Sequence, residues 1–226
     1  MTGPIVVVVN GAFAHEKRLD RVLEDASYVI AADGGANWLA SRSRRPDLLV
    51  GDMDSVCPEL LVALERDGCA IQRYSTHKDE TDTELALLSA VKRGAGEGVT
   101  SIIVLGALGG RIDHELANVM SLTMPKLEGA CVTIFDGVSY MTLIRDEIEI
   151  VGNPGDLVSL IPLGGPVEGI TTSGLEYPLD GEALYVGPAR GVSNVLLGRK
   201  AHVRLAKGML LMIHTPLENL DEENAR

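Results

Sequence analysis

Four short runs, IVVVV (5–9), YVIAA (28–32), DLLVG (47–51) and SIIVLG (101–106), are apolar almost without interruption. A strand with one face in water alternates apolar and polar residues. An unbroken run suits a strand covered on both faces, as in a parallel sheet clad by helices. A shorter strand is expected at 70–74. Between the runs, apolar residues fall at helical spacing and predict helices near 15–26, 35–43, 58–67, 80–93 and 113–127. In 80–93, Leu85, Leu88 and Val91 share a face, and Asp79 or Thr81 stands where a cap belongs. Such alternation predicts a parallel, Rossmann-like α/β sheet with right-handed crossovers.

Near residue 130 the texture changes. CVTIF (131–135), SYMTLI (139–144), EIEIV (147–151), LVSLIP (157–162), AHVRLA (201–206) and MLLMIHT (209–215) are short, β-branched or alternating. Turn signals such as Gly164-Gly165 and Asp180-Gly181 separate them. The expected layout is an α/β domain over 1–130 and a β-sandwich or small barrel, free of ordinary helices, over 131–220. Residues 221–226 read as a frayed tail.

The acids of the first domain sit at telling places. Asp33 follows YVIAA, Asp52 and Asp54 follow DLLVG, Asp79 and Asp82 follow the short strand, and Asp113 lies one loop beyond SIIVLG. In an open parallel sheet the strand C-termini share one edge, and ligands bind in the crevice there. Independent loop acids have no reason to choose one edge repeatedly. Gathered there, these carboxylates repel one another and raise each other's pKa unless a cation joins them. A hard divalent ion, Mg²⁺ above all, takes carboxylate and phosphate oxygens together.

Charge and composition narrow the partners. The chain has 226 residues, with 32 Asp and Glu against 20 Lys and Arg, a net charge of -12. That disfavours binding to nucleic acid, which needs cations on phosphates, and to an anionic membrane surface. It leaves open phosphorylated ligands bound through a metal. A hydrophobic content of 46% excludes a disordered chain. Three cysteines without a C-x-x-C pattern read as small buried hydrophobes in a reducing compartment. The start, MTGPIVVVVNG, is too short in its apolar run for a signal or a span, so a cytoplasmic protein without membrane association is expected.

The loop Gly106-Ala107-Leu108-Gly109-Gly110-Arg111 follows a strand and precedes a helix, where backbone N–H groups face an anion and Arg111 is placed to clamp a phosphate. It is neither a P-loop nor a dinucleotide fingerprint. Lys78 and His114 flank the acids. With no G-x-S-x-G and no thiol or zinc pattern, the chemistry that needs only acids, a metal and cations is phosphoryl-type transfer.

ADGGANWL (32–39), GDMDS (51–55), HKDETDTELAL (77–87) and LGALGGRIDHELANV (105–119) resemble, in order, the motif blocks of the thiamine pyrophosphokinase family. SGLEYPLDG (173–181) and GVSNVLLGRKAHVRLAKGMLLMIHT (191–215) are similar to its thiamine-binding module. The resemblance implies Mg²⁺-dependent transfer of the diphosphate group of ATP to the hydroxyl of thiamine, releasing AMP. It implies a homodimer whose sites combine the α/β domain of one subunit with the β domain of the other. By motif, Asp52, Asp54 and Asp82 would hold the metal, with Asp79 nearby, and Asp33, Gly34 and Gly35 would line the cleft. Lys78, Gly109, Gly110, Arg111, Asp113 and His114 would meet the nucleotide, and Ser193 and Asn194 would touch thiamine. Asp82 and Asp113 are both candidates for accepting the hydroxyl proton.

The chain departs from the family pattern at Ser75 and His77, and Val195, Leu196 and Leu197 stand where many members carry an acid and an aromatic. No ring is therefore assigned to stack on thiamine; Trp38, inside a helical pattern, reads as packing. Competing readings are a diphosphokinase for another heterocyclic alcohol such as a hydroxymethylpterin, a phosphatase or phosphomutase using Asp52 as nucleophile, and a non-catalytic nucleotide or thiamine sensor. The D-x-D after the third run rather than the first tells against the nucleophile reading.

Overall fold

In the computed structural model, which describes residues 3–98 and 101–224, the apolar runs become the centre of a parallel sheet. The chain divides into two compact units after Gly137. The first holds strands β1 (Ile5–Val8), β2 (Tyr28–Ala32), β3 (Leu48–Gly51), β4 (Ala70–Arg73), β5 (Ser101–Leu105) and β6 (Cys131–Phe135), in the order β6-β5-β1-β2-β3-β4. Every pairing is parallel; Val7 of β1 lies opposite both Ile30 and Val104. All four residues of β1 are fully buried. Each such aliphatic side chain contributes roughly 1.5–3 kcal/mol by leaving water, so the unbroken runs fix where the sheet centre lies.

From β1 the chain builds outward to β4, then crosses back to place β5 on the other side of β1. The order therefore reverses at β1, and the crevice between the β1 and β5 C-terminal loops is the natural ligand position. Helices α1 (Glu16–Glu24), α2 (Gly35–Ser41), α3 (Pro58–Arg66), α4 (Asp82–Glu97) and α5 (Ile112–Ser121) fill the connections, α5 leading into a 3-10 turn at Pro125–Leu127. Across β1, β2 and β3 packs α4. Of the two possible caps, Thr81 serves. Its Oγ1 accepts the Glu84 N–H and its own N–H donates to Glu84 Oε2, both at 3.2 Å.

The second unit has two antiparallel layers. One runs β12 (Asn194–Val195), β9 (Leu157–Pro162), β14 (Leu210–Thr215), β7 (Tyr140–Ile144); the other runs β11 (Glu182–Leu184), β10 (Val167–Ser173), β13 (Lys200–Arg204), β8 (Glu147–Val151). Val158, Leu160 and Met212 from the first layer and Ile150, Ile170 and Val203 from the second share one apolar core, which makes the unit a sandwich.

Three features differ from the sequence expectation. CVTIF was expected to open the second domain, but β6 pairs in parallel with β5 and belongs to the first unit. Residues 217–224, expected to include the start of a frayed tail, form helix α6 (Leu217–Asn224). Its first turn is tethered by the Leu217 N–H on Asp156 and the Asn219 amide on the Val138 carbonyl; residues 225–226 lie outside the described residues. Cys57 and Cys131, expected to be buried, are exposed because they sit at the start of α3 and of β6. No helix among the described residues is long and apolar enough to cross a membrane.

Candidate functional site

At the C-terminal edge of the first sheet lies a cleft of about 530 Å³. Two of the strands that feed it deliver their acids through constrained turns. Directly after β2, Asp33 has a left-handed backbone (φ 44), and after β3 Met53 does the same (φ 70) between Asp52 and Asp54. Met53 is buried and anchors that turn, leaving the acids on either side to face outward. Non-glycine residues at positive φ cost about 1–3 kcal/mol each and collect at functional sites. At Gly51 (φ 145) a Cβ would press within about 3 Å of Asp33 Cβ and Asp82 Oδ1, so only glycine lets these two acids approach.

The result is a cluster: oxygens of Asp33, Asp52 and Asp82 lie within 4.8 Å of one another. The Lys78 ammonium reaches in, 2.9 Å from Asp82 Oδ1 and 3.8 Å from Asp52 Oδ2. Burial works to lower the Lys78 pKa, but the hydrogen bond and charge of Asp82, with Asp52 and Asp33, outweigh it and raise it. Asp33 is only 6% exposed. Burial, and behind it the Asp82 charge, raise its pKa against hydrogen bonds from Ser55 and Gly34 that lower it. Its Oδ1 is buried without a hydrogen-bond partner. An orphaned carboxylate oxygen beside two further acids is a donor set suited to a hard divalent cation.

Across the cleft, Arg111 forms a two-point pair with Asp113 (Nε–Oδ1 3.1 Å, Nη2–Oδ2 2.6 Å), both exposed. The pair holds the Asp113 carboxyl below its ordinary value. The Gly110 N–H donates to Glu115 Oε1 at 2.7 Å. Of the residues singled out by sequence, Asp33, Asp52, Asp54, Lys78, Asp82, Gly110, Arg111 and His114 line the cleft. Asp54 lies outside the three-acid cluster and accepts the Ser55 hydroxyl at 2.9 Å. Gly34, Gly35, Asp79, Gly109 and Asp113 stand outside the cleft lining. Gly34 caps α2 and Gly35 is its buried first residue.

Asn10, Gly11, Ser55 and Asn118 also line the cleft and were not singled out. Asn10 and Gly11 follow β1, whose loop to α1 carries no acid, so a search for acids passes over them. Asn118 stands one helical turn beyond His114, a spacing that places both on one face of α5; its amide holds the Ala107 carbonyl at 2.8 Å. Trp38 stacks on Phe13 at 4.2 Å, consistent with a packing role.

In the second unit, Ser193 has positive φ (60) and is fixed by its N–H on Ser159 Oγ at 3.1 Å. Asn194 is 8% exposed, and its amide brackets Tyr177, accepting the Tyr177 N–H (3.0 Å) and donating to the Tyr177 carbonyl (2.8 Å). Tyr177 thus has a fixed backbone and a residue exposure of 63%. The sequence blocks 173–181 and 191–215 meet here through these bonds.

Two family models match the chain: "Thiamin pyrophosphokinase, catalytic domain" over residues 19–134 and "Thiamin pyrophosphokinase, vitamin B1 binding domain" over residues 145–210. Thiamine pyrophosphokinase 1 of Oryza sativa subsp. japonica is 30% identical over 190 residues, covering 74% of this chain and 71% of that protein. Thiamine pyrophosphokinase of Bacillus subtilis is 27% identical over 188 residues, covering 82% and 86%. The crystal structure of the Bacillus subtilis protein has the same fold, with a TM-score of 0.81 at 24% identity over 94% of this chain and 99% of that one. Yeast thiamin pyrophosphokinase gives 0.79 at 16% identity, over 98% and 89%.

Proposed function

The chain belongs to the thiamine pyrophosphokinase family, and on that premise we propose that it transfers the diphosphate group of ATP to the hydroxyl of thiamine with Mg²⁺, giving thiamine diphosphate and AMP. The observation that carries the site assignment is the convergence of Asp33, Asp52 and Asp82 with Lys78 on the sheet's C-terminal edge. Asp52 and Asp82, with Asp33 beside them and Asp54 at the cleft rim, are the residues that would hold Mg²⁺. Bound there, the ion supplies charge neutralisation for the phosphate oxygens.

Around that centre the chain's own groups position the reactants. Lys78 and Arg111 orient the phosphates from opposite sides, Arg111 by exchanging its two-point hold on Asp113 for one on phosphate. The backbone at Gly109 and Gly110 and the side chain of His114 flank the same anion. The strand-order reversal at β1 leaves the Asn10–Gly11 and Gly106–Ala107 loops to bracket the nucleoside. The acceptor hydroxyl must lose its proton as it attacks the β-phosphorus. Asp113 is released as a base when Arg111 turns to phosphate, whereas Asp82 stays paired with Lys78. Asp82 lines the cleft but is held by Lys78, and Asp113 stands outside the lining but is freed by Arg111, so both are carried as acceptors.

Thiamine is held by the second unit, where Asn194 fixes Tyr177 and Ser193 lines the approach. A tyrosine face attracts the cationic thiazolium ring. A homodimer combining complementary units is supported by the exposed apolar stripe of α5, Ile112, Leu116 and Met120, spaced four residues apart. A cytoplasmic location is supported by the free cysteines, two of them exposed, which suit a reducing compartment.

The test is product analysis. Purified protein with thiamine, ATP and Mg²⁺ should yield AMP and thiamine diphosphate in equal amounts; ADP as the nucleotide product, or no turnover of thiamine, rejects the reading.

A further inference from the structure

The second unit buries a carboxylate–imidazole pair that the chemistry above does not use. Asp156 is 2% exposed and His214 8%, with His214 Nε2 2.9 Å from Asp156 Oδ2. A carboxylate is expensive to bury unless several donors meet it. Asp156 has them: Oδ2 also accepts the Asn153 N–H (2.9 Å) and Oδ1 the Leu217 N–H (3.0 Å). Burial pushes the Asp156 pKa up, but these donors and His214 outweigh it and hold the group below its ordinary value.

What this carboxylate fixes in space is the backbone beside it. The Asp156 carbonyl accepts the Leu196 N–H at 2.9 Å, and the Gly155 N–H donates to the Leu196 carbonyl at 2.9 Å. These bonds extend the two pairs of β12 on β9, Asn194 with Val158 and Val195 with Leu157. β12 is a two-residue strand held on its other side by the Glu176 N–H on the Val195 carbonyl and the Leu197 N–H on the Gly174 carbonyl, both 2.9 Å, so the Asp156 extension is one of two supports of its register. Gly152 shows how tightly the parts are joined: a Cβ there would collide with Asp156 Oδ2 and press on both His214 Nε2 and Leu196 Cδ2 at about 3.0 Å.

We propose that the Asp156–His214 pair is a positioning device for thiamine, holding Ser193–Leu197 in register from beneath. The inference rests on the reading that this segment and Tyr177 meet thiamine. Neither residue touches the reacting atoms, so the pair governs acceptor affinity and leaves the nucleotide alone.

The experiment compares full-length His214→Leu, His214→Gln and wild type by AMP release and by hydrogen exchange at individual amides. His214→Leu should raise the thiamine KM about tenfold, the scale of one lost charge-assisted hydrogen bond, with the ATP KM little changed. It should also speed exchange of the Leu196 amide. His214→Gln, which keeps a donor within reach of Asp156, should restore both. Should His214→Leu fail to fold, the isosteric Asp156→Asn takes its place. Unchanged exchange at Leu196, or equal rises in both KM values, overturns the proposal. Wild-type turnover of thiamine checks the functional reading separately, since the exchange measurement needs no substrate.

Discussion

Asp33 stands on a left-handed backbone, and burial, with the Asp82 charge behind it, raises its pKa. The neighbouring Asp52 is the cleaner target for mutation, since its removal leaves the turn and the Met53 anchor intact. Asp52→Asn should lower kcat of AMP release by about 100-fold or more, the scale of losing one preorganised electrostatic element, at unchanged melting temperature. Full retention of activity would remove Asp52 from the metal site. Asp156 carries a pH prediction. Its folded pKa lies below the ordinary 3.8, so its stabilisation is fully present above about pH 3.8 and is lost as pH falls through the folded value. Urea midpoints measured downward from about pH 6 should therefore drop in the wild type below that point, and Asp156→Asn, weaker at pH 6, should lose this part of the dependence. At this scale sequence reading found the acids because each follows a strand. It missed Asn10 and Tyr177, since an uncharged loop residue and an exposed ring acquire meaning only from their neighbours.

Among the elements, α4 links stability to the site most directly, because its first residue is Asp82 and its body spans β1 to β3. Thr81→Ala removes the Oγ1 that accepts the Glu84 N–H and leaves the backbone N–H that donates to Glu84 Oε2. It should cost about 1 kcal/mol in urea unfolding, and as the first turn loosens the Asp82–Lys78 contact it should lower kcat as well. An unchanged unfolding midpoint would mean the cap is replaced by water. The helices and central strands were legible because their periodicities are set locally, by which faces are covered. The fate of CVTIF was not. A five-residue β-branched strand reads the same in either unit, and only the free edge of β5 assigns it to the parallel sheet. The α6 helix was hidden for a similar reason, since its tethers come from Asp156 and Val138, far away in sequence.

For the whole molecule, the sharpest expectation concerns sharing of sites between subunits. If each site joins the first unit of one subunit to the second unit of another, Asp52→Asn and Tyr177→Ala damage different partners. Dissociated and reassembled together, the two variants should recover thiamine activity above either parent, because mixed dimers contain one undamaged site. Activity no higher than the average of the parents would place each site within a single chain. The net charge of -12 belongs to this scale too, since the acids at the sheet edge are part of it and make a metal the means of holding phosphate.

Sequence alone determined that the first domain is a helix-clad parallel sheet and that its acids share one edge, because strand burial and strand polarity follow from local pattern. It also carried the family resemblance, through the order of its motif blocks, and the family matches at about 30% identity. Tertiary structure alone decided which acids meet. Asp33, Asp52 and Asp82 close to within 4.8 Å while Asp54 turns to Ser55 and Asp79 stands outside the cleft lining, and this depends on Gly51 lacking a side chain and on two left-handed turns. The same holds for Asn194, whose amide is committed to Tyr177, and for Asp156, whose partners lie up to 61 residues away. Such contacts arise where separate segments compete for one space, and no local pattern encodes the outcome.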